Sequence, residues 1–136
     1  MPVEVLREML QRLPQVRLWN LYGQTEIAPL ATVLQPGDQL RKAGSAGQPV
    51  LNVETRVFDD TMQDVAIGEV GEVVHRSPQL LSGYYGDPER TKAAFHRGWF
   101  HSGDRALIAE KIWQDSRRPS GSYSMTPCRK TQAEKF

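Results

Sequence analysis

Three short segments hold the residue types that do chemistry. The first is Asn20-Leu21-Tyr22-Gly23-Gln24-Thr25-Glu26. It reads as a strand end running into a glycine turn, a natural place to present functional groups. The Tyr22 ring offers a flat face for a base. The Thr25 hydroxyl can donate to a phosphate oxygen. The Glu26 carboxylate is a hard oxygen ligand of the kind Mg²⁺ takes. Together they would serve a nucleotide–metal complex, although spacing alone favours a plain βα turn with Glu26 in a solvated helix start. The second segment runs from Gly71-Glu72 through His75-Arg76-Ser77-Pro78 to Gly83-Tyr84, Pro88 and Thr91. It reads as strand, turn and helix, most of it architectural. The third is Gly98-Trp99-Phe100-His101-Ser102-Gly103-Asp104. A carboxylate after a small flexible residue can accept two hydrogen bonds from a vicinal diol such as a ribose, or can simply be an Asp in a loop.

The elements that must position these residues follow from periodicity. Val3, Leu6, Leu10 and Leu13 fall on one face of a helix over 3–13, with Pro2 suited to its first position and Pro14 stopping it. A helix opening at residue 2 implies an upstream partner, so the start reads as internal to a larger fold. Residues 16–21 read as a short strand, and 33–50, rich in Gly and Pro, as a loop-rich connection. Residues 51–58 alternate cleanly, with Leu51, Val53, Thr55 and Val57 on one face, and 72–76 form a further strand. Asp87-Pro88-Glu89 is a helix start; that helix runs to about Phe95 and ends at Gly98. From about Lys111 the pattern is lost. Residues 114–136 hold five apolar side chains in 23, too few to offset ordering entropy, so the segment is expected to be a disordered tail.

The chain has 136 residues, a one-domain length. Hydrophobic residues are 39% and charged residues 24%, which is globular. A net charge of +1 argues against a nucleic-acid grip by bulk charge and against a polybasic membrane anchor. One cysteine, Cys128, excludes an intramolecular disulfide framework. No apolar run reaches the roughly 20 residues of a transmembrane segment, and the N-terminus lacks signal-peptide character. The expected setting is cytoplasmic. Weaker candidates have plainer readings. His75, His96, His101 and Cys128 fit no zinc spacing. Gly44-Ser45-Ala46-Gly47 reads as a turn rather than a phosphate cradle. Arg117-Arg118 and Arg129-Lys130 read as a solvated tail. Trp19, Trp99 and Phe100 read as core.

Taken in order, the three segments closely resemble the adenylate-forming (AMP-binding) ligase superfamily, which includes acyl-CoA synthetases, luciferases and peptide-synthetase adenylation domains. The aromatic-Gly-x-Thr-Glu element of that family matches Tyr22 to Glu26. Its Gly-Glu strand with Gly-Tyr and a Pro…Thr helix matches Gly71-Glu72, Gly83-Tyr84, Pro88 and Thr91. Its Gly-Trp-Phe-(His/Arg)-Thr-Gly-Asp element matches Gly98 to Asp104, with Ser102 in place of Thr. Three motifs in order are specific where one is not. The resemblance covers about residues 2–106, and the wording around Arg76-Ser77-Pro78 and Trp99-Phe100-His101 is most similar to fatty-acyl or medium-chain acyl-CoA ligases.

The resemblance implies an α/β fold: the C-terminal part of an adenylation domain, a strand-turn-helix piece plus a small antiparallel β-barrel-like subdomain, over 1–110, followed by the disordered tail 111–136. It implies that Tyr22 stacks on adenine, Gly23 and Gln24 line the floor between nucleotide and acyl group, Thr25 contacts the α-phosphate, Glu26 holds Mg²⁺ and Asp104 binds the ribose hydroxyls. Thr25 and Glu26 are then the catalytic pair. The implied cofactors and substrates are ATP/AMP, Mg²⁺ and coenzyme A, and the partners a small carboxylic acid and a nucleotide, with no nucleic acid. The chain also departs from the family. It has no upstream Ser/Thr/Gly-rich phosphate loop, and no Arg-x-Lys-Asp hinge or catalytic-lysine domain follows Asp104. Lys111, Lys130 and Lys135 lie in no matching context. These departures read as a truncation or frameshift, with exposed apolar edges. They leave two functional expectations: a piece of an acid–CoA ligase, for which a complementary fragment of the same enzyme is a partner, or a catalytically inactive remnant with at most weak adenylate binding.

Overall fold

A computed structural model of the chain describes residues 2–109 and the backbone of 124–127. Helix α1 (Val3–Arg12) buries Leu6 and half-buries Val3, Met9 and Leu10. Pro2 is its N-cap rather than its first residue. Leu13, expected on the packed face, is the C-cap and is exposed, because Pro14 denies the chain another turn.

A three-stranded antiparallel sheet comes next, in the order β1 (Asn20–Tyr22), β2 (Thr32–Leu34) and β3 (Gln48–Pro49). The strand expected from residue 16 starts only at Asn20, where β2 becomes available to pair: Asn20 faces Leu34 and Tyr22 faces Thr32. The stretch expected as loop, 33–50, contains the last two residues of β2 and the whole of β3. Strands this short among Gly and Pro leave no alternation to read. Buried side chains complete the connection: the Thr32 hydroxyl donates to the Ala46 carbonyl at 2.6 Å, and the Gln39 amide to the Leu34 carbonyl at 2.8 Å.

The second sheet is antiparallel and curls into a half-barrel. Its strands are β4 (Glu54–Phe58), β5 (Val70–Arg76), β6 (Phe95–His96), β7 (Trp99–Ala109) and β8 (Ser124–Pro127). The order is β4-β5-β7-β6, with β8 also on β7. The alternation expected for β4 holds from Val53, but Leu51 is exposed because Asn52 turns the chain with φ 66°. Both faces of the sheet are covered. Val57, Val73, Ala106 and Ile108 pack on one side, and Phe58, Val74 and Trp99 on the other. Between β5 and β7 lies helix α2 (Pro88–Ala94), whose N-cap Asp87 accepts from the Arg90 N–H at 2.9 Å. This helix ends at Ala94, and Gly98, expected to terminate it, instead sits with Arg97 in the turn joining β6 to β7.

The architecture is therefore α/β, with helices beside antiparallel sheets. The tail anticipated over 111–136 lies outside the described residues except for 124–127, whose backbone forms β8 along β7. Among the described residues no helix is long and apolar enough to cross a membrane. Val16, Trp19 and Leu21, leading into and along the edge strand β1, are exposed, so Trp19 is not the core residue its type implies.

Candidate functional site

Asp104 is presented by a defect in the second sheet. Between the pairs Glu72–Arg105 and Val74–His101, β7 runs through more residues than β5, and the surplus forms a bulge at Ser102-Gly103-Asp104. A bulge re-aims a side chain out of the strand's alternation. Gly103 supports it with φ 72°, a backbone region open to glycine without steric penalty. The Ser102 hydroxyl donates to the Val73 carbonyl at 2.6 Å and accepts from the Asp104 N–H at 3.0 Å. The Glu72 carboxylate braces the other side: one oxygen accepts from the Gly103 N–H at 3.0 Å, and the other lies 2.7 Å from His101 Nδ1. Glu72 belongs to the Gly-Glu motif expected to be architectural, and its work here is to hold the bulge.

The first sheet brings Tyr22 and Gln24 to the same place. After β1 the backbone doubles back so tightly that the Ala31 N–H reaches the Tyr22 carbonyl at 2.9 Å. A Cβ on Gly23 would lie 1.8 Å from the Pro29 carbonyl oxygen, so only glycine fits that approach. The Tyr22 hydroxyl donates to Asp104 Oδ2 at 3.0 Å across 82 residues of sequence. The Gln24 amide donates to the Ser102 carbonyl at 2.8 Å and to the same Asp104 oxygen at 3.3 Å. Tyr22 packs against two buried clusters, one of Val57, Val65, Val73, Ala106 and Ile108 in and beside the second sheet and one of Ile27, Ala31 and Val53 in the segments between strands, and so joins them. Burial first, and then the Asp104 charge, push its phenol pKa far above the ordinary range, so it stays a neutral donor at any physiological pH. A groove of about 210 Å³ opens beside Tyr22, lined also by Leu6, Asn20, Leu34, Gln39 and Ser45.

Thr25 and Glu26 begin a single 3₁₀ turn, Thr25–Ile27. Thr25 is exposed. Glu26 accepts a 3.0 Å hydrogen bond from the Tyr84 hydroxyl. The segment after β5 clamps this turn: the Leu81 N–H donates to the Glu26 carbonyl at 2.8 Å, and the Gln79 amide to the Ile27 carbonyl at 2.7 Å. The second motif supplies the scaffold for Tyr84, whose N–H donates to the Thr91 hydroxyl at 2.8 Å. The Arg90 guanidinium lies 4.0 Å over the Tyr84 ring. Burial and the Glu26 contact raise the Tyr84 phenol pKa.

One residue of this neighbourhood stands in the sequence as part of the second, architectural segment and as a poor zinc candidate. His75 is fully buried, its ring 6.2 Å from that of Tyr22 and its Nδ1 3.0 Å from the Thr55 hydroxyl, while Nε2 has no partner. Burial lowers its pKa to about 4, against a smaller opposing pull from the Asp104 charge. It is therefore a neutral imidazole wedged beneath Tyr22. The alternation of β4 marks Thr55 as inward, but its pairing with His75 is a matter of register, which one strand's pattern does not reveal. The remaining histidines, His96 and His101, meet edge to face at 6.2 Å. Among the described residues no group of three or more His, Cys, Asp or Glu side chains gathers to hold a metal ion. The turn expected over Gly44 to Gly47 is only partly that: Gly44 closes a turn, and Ser45 to Gly47 lead from it into β3, with the Gly47 N–H donating to the Ser45 hydroxyl at 3.0 Å. Cys128 and the tail arginines lie outside the described residues.

A carboxylate on a braced bulge, an aromatic ring with its hydroxyl on that carboxylate, and a second carboxylate one short turn away thus lie in one neighbourhood. The profile of the AMP-binding enzyme family matches residues 1–85, and the chain belongs to that family. It is 34% identical over 119 residues to an indoleacetate–CoA ligase of Aromatoleum aromaticum, covering 86% of this chain and 23% of that one. It is 40% identical over 111 residues to a long-chain-fatty-acid–CoA ligase of Salmonella typhimurium, covering 81% of this chain and 20% of the relative. The chain thus spans between a fifth and a quarter of the length of these relatives. Its fold matches the unliganded o-succinylbenzoate coenzyme A synthetase of Bacillus subtilis with a TM-score of 0.80, over 96% of this chain and 25% of that one, at 23% identity. The same synthetase in complex with its acyl-adenylate intermediate matches with a TM-score of 0.73 at 27% identity, over 79% of this chain and 22% of that one.

Proposed function

We propose that residues 1–110 are the adenylate-gripping part of an AMP-forming acid–CoA ligase acting on a fatty or related carboxylic acid. The observation that carries this reading is the meeting of Tyr22, at the end of β1, and Gln24, just after it, with Asp104 of the second sheet, at 3.0 and 3.3 Å. In the whole enzyme the acid carboxylate attacks the α-phosphorus of ATP, pyrophosphate leaves, and the thiol of coenzyme A takes the acyl group from AMP. In this chain Asp104 accepts hydrogen bonds from the ribose diol. The Tyr22 ring stacks on adenine, with Gly23 and Gln24 beside it. The exposed Thr25 hydroxyl donates to the α-phosphate. The complex of the related synthetase with its acyl-adenylate supports placing an adenylate here.

Magnesium fits this set through Glu26, a lone carboxylate held in place by Tyr84. One or two carboxylates plus substrate phosphates is the usual way a protein binds that ion. When bound it offsets charge at the transferring phosphoryl group. Identity to the Salmonella long-chain-fatty-acid–CoA ligase supports a fatty acid as the acid. A cytoplasmic setting goes with use of ATP and coenzyme A. The edge strand β1, with Trp19 and Leu21 exposed beside it, fits a complementary segment of the same enzyme as partner.

The test is calorimetric titration of the chain with AMP and with a non-hydrolysable acyl-adenylate, alongside carboxylate-dependent ATP–pyrophosphate exchange. Saturable binding that Asp104→Asn weakens supports the reading. Exchange by the chain alone would extend it to turnover, and absence of both binding and exchange would refute it.

A further inference from the structure

The role given to Tyr22 by stacking uses only its ring, yet its hydroxyl is committed to Asp104 Oδ2 at 3.0 Å. The same oxygen receives the Gln24 amide at 3.3 Å, and that amide also holds the Ser102 carbonyl at 2.8 Å, so Gln24 grips both the bulge backbone and the side chain it presents. Two donors converging on one oxygen fix the rotation of a carboxylate plane. Tyr22 is itself fixed, packed between two buried clusters, Val57-Val73-Ala106 and Ile27-Ala31-Val53, and against the His75 ring. The acceptor is the part that needs holding, because Asp104 comes directly after Gly103 on a strand irregularity.

We infer that the Tyr22 hydroxyl and the Gln24 amide are positioning groups for diol recognition, acting through Asp104 to hold its carboxylate facing a ribose. The inference rests on the proposal that Asp104 binds the nucleotide sugar, and it adds a division of labour within Tyr22: the ring takes the base and the hydroxyl takes the aspartate. A group that pre-organises a ligand contact contributes affinity by cutting the ordering cost of binding. Its effect is confined to the ligand group it serves. Removing the Tyr22 hydroxyl therefore weakens binding of a nucleotide that carries the 2′,3′-diol and leaves a nucleotide without it far less affected.

The experiment titrates the full chain calorimetrically with AMP and with 2′,3′-dideoxy-AMP, and repeats both titrations with Tyr22→Phe, Gln24→Leu and Asp104→Asn. Circular dichroism checks that each variant is folded, and Gln24→Leu reports the same coupling should Tyr22→Phe not fold. The wild-type chain is expected to prefer AMP, and Asp104→Asn to abolish the preference. Tyr22→Phe is expected to reduce the preference about 10-fold or more, the lower end of the scale of one hydrogen bond to a charged group. Adding Tyr22→Phe to Asp104→Asn is expected to change the preference no further, an outcome that a merely structural role for the hydroxyl does not produce. If Asp104→Asn abolishes the preference while Tyr22→Phe and Gln24→Leu keep it, the positioning inference is overturned and the nucleotide reading stands. A wild-type chain that binds the two nucleotides alike, or neither, overturns the nucleotide reading itself.

Discussion

Acidification should unfold this protein partly through His75. The imidazole is fully buried, its Nε2 has no hydrogen-bond partner, and its pKa falls to about 4 from an ordinary 6.5. In the unfolded chain the ring regains water and its ordinary pKa. Between pH 6.5 and 4 the unfolded state therefore binds more protons than the native state, so stability rises with pH across that window and is lost as pH falls. A folded pKa of about 4 against an ordinary 6.5 corresponds to about 3 kcal/mol in full, of which about 2 kcal/mol is lost between pH 7 and pH 4.5. Carboxylates titrate in part of the same range, so the effect must be isolated by a variant. His75→Asn keeps a polar atom near the position of Nδ1, within reach of the Thr55 hydroxyl, and removes the titration. Urea unfolding followed by tryptophan fluorescence at pH 7 and pH 4.5 gives the free energy lost on acidification for each protein. The wild-type chain should lose about 2 kcal/mol more than the variant. Equal losses in the two proteins would show that His75 is not held neutral by burial and would refute the reasoning.

Gly23→Ala should be severely destabilising, by about 3 kcal/mol or more, because the new Cβ meets the Pro29 carbonyl at 1.8 Å and backbone must move. Its thermal unfolding midpoint is the measurement. Gly103→Ala meets no atom within 4 Å and is strained only through φ 72°, so it should cost about 1–2 kcal/mol, and a weaker AMP affinity should accompany the distorted bulge. A loss from Gly103→Ala as large as that from Gly23→Ala would contradict this separation of crowding from strain. Asp87→Ala removes the cap of α2 and should cost about 1 kcal/mol in urea unfolding, leaving the unfolding slope unchanged.

The parts of the site differ in how plainly the sequence announces them, and the difference follows the range of the forces involved. Local patterns announce α1, β4, β5 and the capped start of α2, because period and cap lie within a dozen residues. They fail where an element exists only through its partner. β2 and β3 are too short to alternate, and β7 looks broken because Gly103 stands in its middle. That same glycine permits the bulge, and the bulge requires two strands in register before it can be counted. Tyr22, Glu26 and Asp104 stand out by type and motif, whereas the bonds that join Tyr22 and Gln24 to Asp104 cross about 80 residues and two sheets. His75 is inconspicuous in the sequence for the same reason. Its significance lies in facing Thr55 across a ladder and Tyr22 across a seam, and neither neighbour is near it in the chain. A motif can therefore name the groups that touch a ligand, but the groups that hold those groups still are set by register and packing. Such supporting residues are best sought at the places where a strand's pattern breaks, since a break maintained by a serine, a glutamate and a glycine together is a device for aiming the side chain just beyond it.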